Sequence, residues 1–240
     1  SSSGDRVNAV GYFNSVNGTA SARFAAVTTA AGAALVPGLA PFVSSIGSGT
    51  KNYQQVVKEY DNAVWVGGSQ HILSKYNKAD NARITSSITR QGGDFQAMEV
   101  IDGVVYVACH CGDWEYTGTY NYSSPVTTAS RPSSIKYIGA WDAATGEFIE
   151  AFNPNALDAR AGIGPFALAV DPDKCLWFGG DMKQGSWTGT AYQWLGGFGK
   201  FCQRDAAAPT TPTNLTATRT AGNVRLAWGA STDASTFSYQ

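Results

Sequence analysis

Three segments of the chain spell one unit: an alternating strand, a turn built on Asp or Asn, and a second strand with an aromatic at its centre. They run from Tyr53 to Gly68, from Phe95 to Ala108 and from Phe166 to Gly180, and their central aromatics are Trp65, Tyr106 and Trp177. This repeat limits the fold more than any other feature, because one such unit cannot hide its apolar faces alone and must stack on a neighbour. Trp65 and Tyr106 are 41 residues apart and Tyr106 and Trp177 are 71 apart. About 30 residues are therefore inserted in one unit, between Gly112 and roughly Lys136.

Each unit continues past its second strand. Ile72 to Tyr76 before the polar turn Asn77 to Asn81, and Tyr137 to Trp141 before Asp142-Ala143-Ala144-Thr145-Gly146, read as third strands; Glu147 to Phe152 reads as a fourth. The Asp-x-x-Thr-Gly turn works because Asp bonds backbone two residues on and Gly accepts positive φ. Strand, turn, strand, loop, strand, turn, strand is one four-stranded antiparallel blade. The expected fold is therefore all-β, with a β-propeller portion of about 3.5 blades over residues 1–204. Val7 to Phe13 and Ala22 to Thr28 match second and third strands with no first strand before them, as if the chain opens mid-blade.

Composition agrees: 27 Gly, 11 Tyr, 11 Phe and 7 Trp against 2 Met suit short strands and tight turns. With 15% charged residues and a net charge of -1, no electrostatic argument favours nucleic acid. The longest weakly polar stretch, Ala30 to Val43, contains Pro37, Gly38 and Pro41 and falls below the roughly 20 apolar residues of a spanning helix. No membrane insertion is expected. Ser1 to Arg6 lacks the layout of a signal peptide, so either the signal has been removed or the chain begins inside a longer protein; the second is preferred.

At Asp205 the character changes to an Ala, Pro and Thr linker over 205–211. Residues 212–240, with Pro212 to Thr218, Asn223 to Trp228 and Ser231-Thr232-Asp233, look like the first two strands of a fibronectin type III domain, Trp228 facing inward. Such a sandwich needs about 100 residues, so this one is expected to be incomplete.

Over about residues 1 to 238 the chain resembles a group of bacterial or phage exported proteins. In these, kelch-like (delta-60 type) propeller repeats precede fibronectin type III and often laminin-G-like modules. The resemblance is carried by Val64-Trp65-Val66-Gly67-Gly68, Cys109-His110-Cys111-Gly112, Trp141 to Gly146, Ala167 to Asp173, and Gly196 to Cys202 running into the linker. It implies an exported protein of this fold but specifies an activity poorly, the family having no agreed catalytic residues to carry over. The chain departs from the pattern in having too few blades to close a ring of 4 to 8, which places missing blades upstream.

Four cysteines allow three pairings, and an even number suits an oxidising, extracellular compartment. Cys175 with Cys202 is favoured because both lie in strands of one blade. Cys109 and Cys111 are then left to each other, a bond that needs a local bend, which Gly112 permits. As a metal site Cys109-His110-Cys111 is short of ligands, the only other histidine being His71, and two histidines are also the whole supply for a copper centre. No metal or cofactor is expected. Asp94, Glu99, Asp113, Glu115 and Asp181 are carboxylates placed where a glycosidase pair could sit, but most read as turn formers and none is nominated as catalytic. Neither a Gly-x-Ser-x-Gly turn nor a phosphate-binding loop is present.

The loop between strands two and three leaves every blade on the same rim, and two successive loops there are long. Gly112 to Ser123 and Asp181 to Trp194 combine aromatics with Ser, Thr, Asn and Gly, a mixture suited to recognition. Trp114, Tyr116, Tyr120, Trp187 and Tyr192 are the expected ligand-facing residues, and a cell-surface glycan or protein is the expected partner. The competing expectation is that these rings fold inward to tether their own loops. Three functions fit: a surface binding or adhesion module, a secreted carbohydrate-active enzyme with its site in the propeller mouth, or a structural subunit whose loops meet neighbouring chains of an assembly. Fold alone does not choose among them.

Overall fold

The structure is a computed structural model that describes residues 2–40, 52–89, 93–118, 133–186, 191–202 and 210–232. Among these, all regular structure is β-strand. The chain divides into two compact units, Ser1–Phe201 and Cys202–Gln240.

Four antiparallel sheets follow one another through the first unit, none closed into a barrel. The first contains β1 (Ser2–Ser3), β2 (Arg6–Val10) and β5 (Phe24–Thr28), with a small hairpin of β3 (Ser15–Val16) and β4 (Thr19–Ala20) between the last two. The pairing of β1 with β2 corrects the expectation that no first strand precedes Val7. β6 (Gln54–Tyr60), β7 (Ala63–Gly68), β8 (Ile72–Asn77) and β9 (Arg83–Thr89) are the first four strands of the second sheet, which two later strands extend to six. The third is β10 (Phe95–Ile101), β11 (Val104–Cys109) and, after the hairpin strands β12 (Trp114–Thr117) and β13 (Ser133–Ser134), β14 (Ile138–Asp142). The expected fourth strand, Glu147 to Phe152, is corrected to a single bridge between Phe148 and Trp141 of β14, so this sheet has three strands. β15 (Asp158–Val170), β16 (Leu176–Ser186), β17 (Tyr192–Trp194) and β18 (Phe198–Phe201) make the fourth.

The repeat is visible in the strand register. In sheets two, three and four the first strand carries a bulge at the same step, between Gln54 and Val56, Phe95 and Ala97, and Pro165 and Ala167. The partner residues there are Gly68 and Gly67, Cys109 and Ala108, and Gly180 and Gly179. Counted from that bulge, Trp65, Tyr106 and Trp177 occupy one equivalent position, and Val66, Val107 and Phe178 the next. Side chains alternate along a strand, so the two positions face opposite ways. Val66 packs with Phe24 of the first sheet, Val107 with Trp65 and Leu73 of the second, and Phe178 with Ile138 of the third. Trp65 meets Phe95, Met98 and Val105 of the sheet after its own, and Tyr106 meets the Leu176 and Phe178 cluster. At each of the three junctions the successor-facing side of one sheet is thus buried against the predecessor-facing side of the next, which is why three apolar clusters alternate with the four sheets.

Turns are made as the sequence requires. Asp102 and Gly103 both take positive φ (48° and 80°) to join β10 to β11, the handedness that matches strand twist. After β14, Asp142 Oδ1 accepts the backbone N–H of Ala144 at 2.9 Å and of Thr145 at 2.7 Å. These bonds, those from Thr145 first, hold its carboxyl below the ordinary aspartate range.

The first insertion does not stand free. β12 pairs with β9 of the second sheet, placing Glu115, Tyr116 and Thr117 opposite Thr89, Ile88 and Ser87, and β13 pairs with β12. In the second unit, β19 (Thr213–Thr220) and β20 (Asn223–Gly229) form an antiparallel hairpin. Trp228, expected to face inward, is 49% exposed there, the described residues of this unit offering no opposing sheet.

Candidate functional site

Past Gly180 the fourth sheet changes partner: Gln184, Gly185 and Ser186 of β16 pair with Trp194, Gln193 and Tyr192 of β17. Alternation sets Gln184, Ser186, Tyr192 and Trp194 on one face. Gly185 is on the other, where an added Cβ would lie 3.2 Å from Leu157 and 3.3 Å from Leu195. That apolar underside fixes which face is open, and Tyr192 and Trp194 are 53% and 67% exposed on it.

Arg160 completes the cluster, its guanidinium 4.9 Å from the centre of the Trp194 ring. It is held there by a bulged stretch of β15. Asp181 Oδ2 accepts the backbone N–H groups of Ala161 at 2.8 Å and Ile163 at 3.1 Å. Burial works to raise the Asp181 carboxyl, but the N–H donors of Ile163, Ala161 and Arg160 and the Arg160 charge outweigh it and hold it low. Asp181 is thus an ionised anchor for the loop beneath the ring. Lys183 and Asp158 pair at 3.5 Å across the same two strands. Two ring faces with an amide and a guanidinium beside them can take a ligand with alternating apolar and hydroxylated surface.

Of the residues nominated from sequence, Tyr192 lies in this cluster. Trp114 is 43% exposed but pairs with Ser134 on the hairpin of the second sheet, a different sheet from Tyr192. Tyr116 is 4% exposed; its strand closes against β9, which turns the ring inward and takes it out of any surface patch. Tyr120 and Trp187 lie outside the described residues. Trp194 was legible as the alternate partner of Tyr192. Arg160 had no sequence signal, since only the bulged path of β15 brings it to the ring.

Glu115, beside Tyr116, is 1% exposed and accepts a hydrogen bond from the Thr117 hydroxyl at 2.8 Å. Burial raises its carboxyl to about 7, against the lowering effect of donors on Ser87, Thr117 and Trp141. The other carboxylates are engaged locally. Glu99 pairs with Lys58 at 2.6 Å, Asp94 lies 3.4 Å from His71 Nε2, and the Asp94 carbonyl accepts the His110 N–H. Asp171 accepts from the Cys175 N–H and the Trp177 indole, which hold its carboxyl low, the indole first. Among the described residues no group of three or more His, Cys, Asp and Glu is assembled for a metal ion.

Cys109 is bonded to Cys111, their Cα atoms 5.1 Å apart, closer than the roughly 6.6 Å of two strand steps; the chain bends at His110, where β11 ends. No cysteine is free, and Cys175 and Cys202 form the second disulfide pair.

No protein-family model and no curated protein sequence matches the chain. Among solved structures it is similar to the computationally designed Ika8 protein, at 13% identity over 61% of this chain and 47% of that one, with a TM-score of 0.26. It thus spans about half of the Ika8 chain. It is also similar to the computationally designed Ika4 protein, at 12% identity over 65% of this chain and 99% of that one, with a TM-score of 0.27. Likenesses this partial carry no argument about fold or activity.

Proposed function

We propose that this protein is an extracellular binding module that recognises glycan through the open face of Tyr192 and Trp194, flanked by Arg160 and Gln184. In this reading the four repeated sheets are blades of a β-propeller, and the hairpin of the second unit opens a fibronectin type III module that spaces the propeller from its anchor. The observation that carries the reading is the pair of large aromatics on one exposed strand face, backed by Leu157 and Leu195 and bordered by the Arg160 guanidinium. Sugars present just such a combination, with C–H faces for the rings and hydroxyls for the amide and guanidinium. Two disulfide pairs fit an oxidising compartment. The test is a glycan array probed with the full chain and with Trp194→Ala and Tyr192→Ala. The reading expects the wild-type signal on a defined set of glycans to fall at least tenfold in both variants, and an unchanged pattern would overturn it.

A further inference from the structure

At two junctions between sheets, a basic side chain of one sheet reaches the turn that follows the third strand of the next. Arg6 of the first sheet donates to the Lys78 carbonyl, and to Asn81 Oδ1 at 3.1 Å. Lys75 of the second donates to the Ala144 carbonyl at 2.7 Å, in the Asp142 to Gly146 turn of the third. Lys75 stands directly across from Trp65 in the register and 5.6 Å above its ring. Lysine and tryptophan are both sealed by the third sheet, at 3% and 2% exposure.

The fourth sheet carries the same pair. Trp177 is equivalent to Trp65, and Lys200 stands across from it, 5.0 Å above the ring. Phe198, across from Gly179, stacks on Trp177 at 6.4 Å. Here the face is open: Phe198 is 61% exposed, Phe166 54%, and Ala167, Ala169 and Lys200 are also exposed. A soluble chain rarely leaves such a patch uncovered. The register says what covers it, namely the apolar predecessor-facing side of another sheet of this repeat, with a third-strand turn to receive Lys200. The first sheet has such a side: Val7 is 40% exposed, Ala9 lies open beside it, and the turn residues Thr29 to Gly32 are exposed.

We infer that the fourth sheet of one chain docks on the first sheet of a second copy, Trp177, Phe198 and Phe166 packing against Val7 and Ala9 while Lys200 reaches the Thr29 to Gly32 turn. The contact is head-to-tail, and two such contacts close a pair of chains. The inference rests on the strand register and is independent of the glycan reading.

Sedimentation velocity of the full chain, from about 1 to 100 µM, tests it. The expected result is a monomer that becomes a two-chain species with concentration. Phe198→Glu alone and Val7→Lys alone should each stay monomeric at 100 µM with unchanged circular dichroism, and an equimolar mixture of the two should recover the dimer, because the altered faces meet only each other. A mixture that stays monomeric would overturn the inference. So would a wild type that is monomeric throughout, which would assign cover of this face to residues of the same chain, and so would open-ended polymers in place of the pair. Unchanged glycan binding by Phe198→Glu separates this outcome from the fate of the Tyr192 and Trp194 face.

Discussion

Trp65 and Trp177 hold the same register position in two sheets, each across from a lysine, but the first is sealed by a following sheet and the second lies on an open face. Their energetic weights should differ accordingly. Trp65→Ala removes a buried ring and is expected to cost about 3–5 kcal/mol. Trp177→Ala, measured at low micromolar concentration, should cost less than half as much. Urea unfolding of both variants checks this, and equal losses would contradict the assignment of faces.

Glu115 makes stability pH-dependent. Its carboxyl titrates at about 7 in the folded chain against 4.5 ordinarily, so the folded state keeps a proton that the unfolded state releases between these values. The contribution is full below about pH 4.5 and is lost as pH rises through about 7, amounting to about 3 kcal/mol. Glu115→Gln should abolish this component, so that the variant gains on the wild type between pH 5 and pH 8. Parallel denaturation midpoints across that range would argue against a buried, protonated Glu115.

Gly139 lies under Trp141: an added Cβ would stand 2.6 Å from Cη2 of that ring and 2.7 Å from Ile135 Cδ1. Trp141 is fully buried, with its indole donating to Ser87 Oγ at 2.9 Å, so it cannot swing away cheaply. Gly139→Ala should destabilise by about 1–3 kcal/mol, read by thermal or urea unfolding. No effect would mean that the slot beneath the ring is wider than described.

The two disulfides should contribute unequally. Cys109 and Cys111 are two positions apart, so closing their loop stabilises by about 1.6 kcal/mol, whereas the 27 positions from Cys175 to Cys202 correspond to about 3–4 kcal/mol on the chain-entropy account. Paired Cys→Ser variants, compared by denaturation, should keep that order, and the reverse order would point to strain or contacts outweighing loop closure.

The repeat was legible because Trp65, Tyr106 and Trp177 recur with fixed neighbours, and alternation then dictates which side each faces. The bulge that aligns the three sheets was not legible, since Gln55 and Gln96 are matched by Phe166 in the fourth sheet and no one residue type marks the step. Nor was the course of the first insertion. A loop rich in Trp and Tyr reads the same whether it projects or pairs, and the docking of Glu115 to Thr117 on β9 depends on an edge supplied by another repeat. In the second insertion Tyr192 was legible as exposed, but Arg160, which lies over the neighbouring Trp194 ring, arrives through irregular backbone in β15, where periodicity has nothing to report.

The most direct measurement is isothermal titration of the full chain with an oligosaccharide bound on the array, comparing wild type with Trp194→Ala, Tyr192→Ala and Arg160→Ala. The account predicts at least a tenfold loss of affinity in the two aromatic variants and a smaller loss for Arg160→Ala, with unfolding midpoints unchanged. Wild-type affinity retained in Trp194→Ala, or no oligosaccharide bound by the wild type, would contradict it.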